Sequence, residues 1–412
     1  MKLLYNTGII LYTLAIRLAA LFSAKAALLT SGRKDWQGLV TERISKRDKV
    51  LWVHCASLGE FEQGRPVIEE IRHSKPDLKI LLTFFSPSGY EIRKNYPLAD
   101  CIVYLPADTP GNAAKFIKLV HPEAAIFVKY EFWHNYISVL HRNNIPLYLI
   151  SGIFRKEQPF FRSYGSFFRS MLGKFRLLFV QDEASAELLK NAGINNVIVA
   201  GDTRFDRVVK IASAARKINE LEDFMGEEKL FLAGSSWSAD EEIISKYINL
   251  HPGRMKWVFA PHEIDDANIE RLQKLLTVES VRFSKYNGAP GSSGARVLII
   301  DNIGMLSSAY RYANIAEVGG GFGKGIHNIL EPACWGIPVL FGPRHEKFRE
   351  AVELLKQKGA MTFINYEEFG GIIDRLLNDE AFYLQSARSA SYYVSKNIGA
   401  TSRILEEIIP KI

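Results

Sequence analysis

The chain has 412 residues, 47% of them hydrophobic and 24% charged, which is enough ordinary globular material for two cores and excludes a fibrous or disordered protein. Its net charge is +7, and most of that excess lies at one end: within residues 1–50, nine Lys or Arg face three acids, a local net of +6. Three cysteines, Cys55, Cys101 and Cys334, form an odd set at wide spacing with no C-x-x-C pair, which argues against a disulfide framework or a zinc knuckle and fits a reducing compartment.

The first element, residues 8–22, reads GIILYTLAIRLAALF. A spanning helix needs about 20 apolar residues, and this run is shorter and carries Arg17 in its middle. The competing reading is a cleaved signal peptide, with Lys2 as its basic start and Ala24-Lys25-Ala26 as a small-residue cleavage site. A charge at the centre of the apolar region speaks against it. The expectation is an uncleaved helix lying in the membrane surface, its arginine reaching up to the headgroups, with residues 1–30 as the anchoring segment. The basic excess beside it then points to anionic lipid as the partner, and not to nucleic acid.

Strand-like apolar runs next alternate with helical stretches, at 50–53, 80–83, 102–104, 124–128, 147–150, 177–180 and 196–199, then at 229–233, 256–260, 297–300, 314–318 and 338–341. Such alternation specifies parallel sheets covered by helices on both faces. The two series meet near residues 201–222. The expected fold class is therefore α/β, with two Rossmann-like domains at 31–210 and 211–412 and a last helix able to pack back on the first domain. Two segments lie outside this rhythm. Residues 154–176 interleave seven aromatics with six basic residues, which suits a lipid headgroup region, a single-stranded nucleic acid, or a core helix with a solvated cationic face. Residues 287–295, NGAPGSSGA, read as a flexible surface connection.

Ligands of parallel sheets sit beyond the carboxyl ends of the strands, so the polar segments there carry the functional signal. After the first strand comes Ser57-Leu58-Gly59-Glu60, ahead of a helix with apolar positions at Val67, Ile68 and Ile71. The pattern S-x-x-E fits a capping box, in which serine and glutamate satisfy free helix amides. It equally places a carboxylate in the favourable field of a helix N-terminus, where a proton acceptor belongs.

The second signal is VGGGFGKGIHNILEPACWGIPVLFGP at 318–343. It lacks the spacing and the Ser/Thr of a phosphate-binding Walker loop, since three residues separate Gly319 from Gly323 and Gly325 follows Lys324. It also lacks the acidic partner of a dinucleotide fingerprint. It reads as a strand, a glycine turn and a helix whose first turn carries His327 and Asn328, with Glu331 one turn on. Free amides there suit a phosphate, and Glu331 is placed to accept ribose hydroxyls. A structural turn, or a His327/Glu331 pair or partial metal site, is the bland alternative.

H-N-x-x-E-P-x-x-x-G-x-P at 327–338 resembles the nucleotide segment of GT-B type glycosyltransferases, which are built from two Rossmann domains. A-S-x-G-E at 56–60, S-P-S-G at 86–89, E-F-W at 131–133 and V-G-G-G with G-x-H-N-x-x-E-P at 318–332 together resemble the 3-deoxy-D-manno-octulosonic acid (Kdo) transferases, over nearly the whole chain. The resemblance implies an inverting transfer of Kdo from CMP-Kdo to a lipid A precursor (lipid IVA) at the cytoplasmic face of the inner membrane, with no cofactor and no metal. It implies Glu60 as general base, Arg204 as the cation that steadies the departing CMP, and Pro261, His262, Ile303, Gly304, Met305, Asn328, Ile329, Leu330 and Glu331 as nucleotide contacts. The chain departs from the family at two places. Pro261-His262-Glu263 stands where Pro-Arg-His is common, leaving Lys324 as a substitute cation, and Lys129 stands where many relatives carry the glutamate that stabilises the transition state. Another GT-B enzyme, a nucleotide-sugar epimerase or a non-catalytic peripheral membrane protein are the alternatives.

Overall fold

The computed structural model describes residues 1–286 and 294–412, so most of the 287–295 connection lies outside the described residues. The chain divides into two compact units. Unit 1 holds Met1–Asp206 and Ile398–Ile412, and unit 2 holds Arg207–Asn397. The division falls inside the helix Thr203–Ser213.

Unit 1 contains β1 (Val50–Cys55), β2 (Lys79–Phe84), β3 (Cys101–Tyr104), β4 (Ala124–Val128), β5 (Leu147–Gly152), β6 (Leu177–Val180) and β7 (Val197–Val199). They form one parallel sheet in the order β3-β2-β1-β4-β5-β6-β7. Strand alternation sends side chains to opposite faces. Val50 and Trp52 of β1 accordingly enter one core, and Leu51, Val53 and Cys55 the other. The first core also takes Phe154, Phe160 and Phe175 from the basic and aromatic segment. Those rings therefore serve packing, while Tyr164 stays exposed.

Unit 2 repeats the plan with β8 (Leu230–Ser236), β9 (Lys256–Pro261), β10 (Ser280–Arg282), β11 (Val297–Ile299), β12 (Ile315–Val318), β13 (Val339–Phe341) and β14 (Ala360–Thr362). Its order is β10-β11-β9-β8-β12-β13-β14, again all parallel. The expected fold of two Rossmann-like domains is thus observed. The edge strands β10 and β14 escape a sequence reading because each has three residues and is only partly apolar.

The N-terminal segment forms two helices, α1 (Lys2–Ala19) and α2 (Ala24–Gly32), followed by α3 (Trp36–Arg43). Among the described residues no helix is long and apolar enough to cross a membrane. No α1 residue is buried, and Leu3, Leu4, Ile10, Leu11, Leu14 and Leu18 are exposed. A polar staple nevertheless holds the helix to unit 1. The Tyr5 hydroxyl donates to buried Asp108 at 2.6 Å, and Asp108 also accepts the amides of Asn135 and Tyr136 at 3.0 Å each.

The last helix, Ala400–Ile408, returns to unit 1. Ile404 and Ile408 are fully buried in the core beside Leu51 and Val53, and each contributes about 1.5–3 kcal/mol. Arg403 closes the contact by donating to the Ala200 carbonyl at 2.7 Å.

Candidate active site

In an open parallel sheet the ligand crevice opens where the strand order reverses. In unit 1 that point lies between β1 and β4, and in unit 2 between β8 and β12. Glu60 and Lys129 follow β1 and β4 at the first of these points and the turn from Gly319 to Glu331 follows β12 at the second, whereas Arg204 follows the edge strand β7, His262 follows β9 and Ile303–Met305 follow β11.

After β1 the chain turns at Ser57 into α4 (Leu58–Ser74). The expected capping box is not what forms. Ser57 makes no side-chain bond to a helix amide, and its hydroxyl instead donates to Glu60 Oε2. The carboxylate is a strong, charged acceptor for that hydroxyl proton. Glu60 Oε1 carries no protein hydrogen bond among the described residues, and the side chain is half-exposed. The S-P-S-G turn lies over this bend. Ser86 caps α5 (Pro87–Arg93), and its amide donates to the Ala56 carbonyl at 2.8 Å. A Cβ on Gly89 would meet the Phe84 ring at 2.3 Å and the Ser57 backbone at 3.0 Å, so only glycine lets α5 approach this closely.

After β4, Lys129 adopts φ +69°, a left-handed conformation that costs a non-glycine residue about 1 kcal/mol or more. Its amide is held by the Ile150 carbonyl at 2.9 Å. The turn directs Glu131 inward, where it is buried and receives two donors. His54 Nε2 lies 2.9 Å and Trp133 Nε1 2.6 Å from its Oε2. The fully buried imidazole is fixed from behind, with Nδ1 2.8 Å from Thr83 Oγ1, which itself accepts Trp52 Nε1 at 2.8 Å. Trp52, Thr83, His54 and Glu131 thus form one continuous buried line of polar contacts. Burial, and then the charges of Glu60 and Glu131, push the Cys55 thiol well up, which puts both carboxylates near the end of β1. Arg204 does not stand alone, because its Nε and Nη2 lie 2.9 and 2.7 Å from Asp202 Oδ2.

In unit 2 the glycine turn follows β12. A Cβ on Gly319 would meet the Ser235 carbonyl at 2.3 Å, and Gly320 and Gly325 have φ of +94° and +130°. The helix beyond it is Leu330–Cys334, shorter and later than expected, so His327 and Asn328 precede it and Glu331 lies in its first turn. Pro332 and the tight Gly336 turn confine it. Asn328 Oδ1 accepts the Leu330 amide at 3.2 Å, and its Nδ2 donates to Glu331 Oε1 at 3.0 Å. Glu331 Oε2 accepts the Ser307 hydroxyl at 2.6 Å, which draws the exposed Ile303-Gly304-Met305 turn to the same place. Ile329 and Leu330 are fully buried, so their side chains belong to the core.

His262 follows buried Pro261 and is exposed. Its ring centroid lies 4.5 Å from that of Trp237 and 4.7 Å from that of His327, and both rings are nearly parallel to it. His327 accepts Trp237 Nε1 at 3.2 Å, and burial together with His262 lowers its pKa. His327 and Glu331 therefore have separate partners and form no pair. Among the described residues no group of three His, Cys, Asp or Glu is placed to hold a metal. Beneath the turn lie the fully buried Asp240 and Glu317. Asp240 Oδ2 accepts the amides of Trp237 and Gly320 at 2.9 and 3.2 Å, tying the loops after β8 and β12 together. Burial, and then the charge of Glu241, push the Asp240 carboxyl up, and burial with the charges of Asp240 and Glu241 pushes Glu317 well above the usual range.

Residues 34–207 match the family model described as 3-deoxy-D-manno-octulosonic-acid transferase. A 3-deoxy-D-manno-octulosonic acid transferase of Aquifex aeolicus is 31% identical over 325 residues, 77% of this chain and 83% of that one. The chain belongs to the Kdo transferase family. A second Kdo transferase, from Haemophilus influenzae, is 26% identical over 381 residues, covering 87% of this chain and 86% of its own. A UDP-GlcNAc 2-epimerase from Neisseria meningitidis, solved with UDP-GlcNAc, has a TM-score of 0.60 over 88% of this chain and all of its own at 17% identity, which is a likeness of fold alone.

As a Kdo transferase the chain is a glycosyltransferase. Two residues of its site were missing from the sequence-derived set: His54, a polar residue inside an otherwise apolar strand, and Glu131, the first residue of E-F-W. The interruption of an apolar run at His54 was a legible signal. Its pairing with a carboxylate on another strand was not.

Proposed function

We propose that this Kdo transferase moves Kdo from CMP-Kdo to a lipid A precursor (lipid IVA), with inversion and without a metal or cofactor, at the cytoplasmic face of the inner membrane. The observation that carries the reading is Glu60: a half-exposed carboxylate at the strand-reversal point, aimed by Ser57 through one oxygen and with the other open. In the reaction Glu60 Oε1 accepts the proton of the acceptor hydroxyl as that oxygen bonds to the anomeric carbon of Kdo. The bond from that carbon to the phosphate oxygen breaks, and CMP leaves with the electron pair. The Glu131–His54 pair fixes the β4 turn that presents Lys129, whose ammonium suits the Kdo carboxylate or the phosphate.

The nucleotide half falls to unit 2. Each Glu331 oxygen has one protein donor and keeps a lone pair for a ribose hydroxyl. Asn328 and the Ile303–Met305 turn border that point, and His262, exposed on its ring stack, offers a flat face beside Pro261. Arg204, restrained by Asp202, is a fixed cation for the leaving phosphate. The exposed apolar face of α1 and the basic N-terminal stretch supply the attachment to anionic lipid.

The test is direct. Purified protein is mixed with CMP-Kdo and lipid IVA in mixed micelles, and products are read by mass spectrometry. The unaltered chain should add Kdo with release of CMP, and Glu60→Gln should lower kcat by roughly 10²–10⁴-fold while CMP still binds. Near-normal turnover by Glu60→Gln would remove Glu60 from the chemistry.

A further inference from the structure

Unit 1 contains a cavity of about 670 Å³ between α1, α2, α3 and the connection after β3, within the span of small-ligand sites. Ile10, Leu14 and Leu29 make much of its wall apolar. The charged side chains that line it are all cations: Arg17, Arg33 and Lys34.

Arg33 is the informative member. Its Nε and Nη2 are buried with no hydrogen-bond partner. Its guanidinium lies 4.7 Å from the centre of the Phe85 ring. Burial lowers its pKa, and the groups that oppose this are the phenols of Tyr12, Tyr136 and Tyr104, none of them an anion at neutral pH. A guanidinium stays protonated in proteins, so buried donors without an acceptor are costly until a ligand brings oxygens. The planar fork fits a phosphate best.

Aromatic contacts lead from Arg33 toward the catalytic residues. Phe85 stacks 4.9 Å from Trp133, whose indole donates to Glu131. The Phe85 amide reaches the Cys55 carbonyl at 3.3 Å, next to the bend that carries Glu60. Tyr12 of α1 stacks on the same ring at 6.3 Å.

We propose that this cavity is the lipid subsite of the acceptor, holding an acyl chain of a phosphorylated glycolipid in its apolar volume and a phosphate on Arg33. The assignment rests on the reading of Glu60 as the acceptor's base and adds the means by which the acceptor is selected: both a chain and a phosphate are needed. Arg17 and Lys34, exposed at the same cavity, extend the attraction to the second charge of such a lipid.

The experiment uses the full chain and dihexanoyl phosphatidic acid, a phospholipid short enough to stay monomeric, in titration calorimetry. Binding to the unaltered protein should exceed that of inorganic phosphate, which lacks the chain, and of dihexanoyl phosphatidylcholine, whose phosphate is masked, by about tenfold or more. Arg33→Met should lose that margin, and Arg33→Lys should recover part of it. Ala107→Phe, which fills the cavity and keeps Arg33, should weaken phosphatidic acid but not inorganic phosphate. In transfer assays Arg33→Met should raise the KM for the acceptor about tenfold with the KM for the sugar nucleotide unchanged. Equal affinity for the three probes, or an unchanged acceptor KM in a folded Arg33→Met, overturns the subsite. If Arg33→Met does not fold, the probe comparison and Ala107→Phe decide alone. An unaltered enzyme that discriminates the lipids but transfers no Kdo sinks the reading of Glu60 and leaves the lipid site supported.

Discussion

Replacing Ser57 by alanine separates two jobs that one hydroxyl can do. A serine that caps a helix through an amide is worth about 1 kcal/mol, or about 2–4 °C of melting temperature for a unit of the size of unit 1. Here no such bond exists, and the hydroxyl holds Glu60. Glu60 is half-exposed, so water replaces the lost donor, and the stability loss should stay within about 0.5 kcal/mol. The catalytic loss should be larger. Without its one side-chain partner the carboxylate samples about three staggered wells at each of two torsions, which leaves it correctly aimed for roughly a tenth of the time, and kcat should fall about tenfold. The assay is steady-state Kdo transfer by Ser57→Ala, Glu60→Gln and the double variant, with thermal melts of each. Because Ser57 acts through Glu60, adding Ser57→Ala to Glu60→Gln should change nothing further. A Ser57→Ala protein that melts several degrees lower with kcat intact would refute the reasoning, as would losses that add in the double variant.

Glu331→Ala should weaken CMP binding by about 1–3 kcal/mol and leave Ser307 and Asn328 without their acceptor; calorimetry with CMP checks it, and unchanged affinity would move the ribose elsewhere. Glu317 binds its proton more tightly in the fold than in the unfolded chain, so between the unfolded value of about 4.3 and its raised folded value stability declines as pH rises. Glu317→Gln, neutral at every pH, should remove that decline, and denaturation midpoints for the two proteins should diverge in the variant's favour as pH is raised through this range; parallel curves would count against a buried neutral acid. Serine at the exposed Leu11, Leu18 and Phe22 together should cut partitioning onto anionic liposomes by at least about tenfold while CMP affinity holds, given the free energy of burying each such side chain. Undiminished pelleting of that variant would relocate the membrane contact.

The architecture was legible because each central strand is a short saturated run closed by a polar or small-residue turn, as at Val50–Cys55 and Ala124–Val128. The edge strands of unit 2 were not, although those of unit 1 were: Ser280–Arg282 is held by β11 and not by its own composition. The site was readable as residue types at strand ends. Its wiring was not: S-x-x-E predicts a cap, and only the geometry reveals that the Ser57 hydroxyl donates to Glu60 and that its oxygen accepts no helix amide. Likewise the expected helix at His327 begins at Leu330, because Asn328 spends its side chain on the Leu330 amide and on Glu331. The aromatics at 154–176 fit three roles equally in one dimension, and packing against the first core decides most of them.

The return of Ala400–Ile408 to unit 1 has a bearing on how the chain matures on the ribosome. Residues 1–206 are made before unit 2, yet the core around Leu51 and Val53 lacks Ile404 and Ile408 until residues 398–412 follow it. For that interval the apolar groove that will receive them faces solvent, and the whole of unit 2 must be made before it is sealed. Unit 1 is thus begun before unit 2 and completed after it, so a translation product cut short before residues 398–412 would carry a whole unit 2 while unit 1 waits, its core exposed, for a chaperone or a protease.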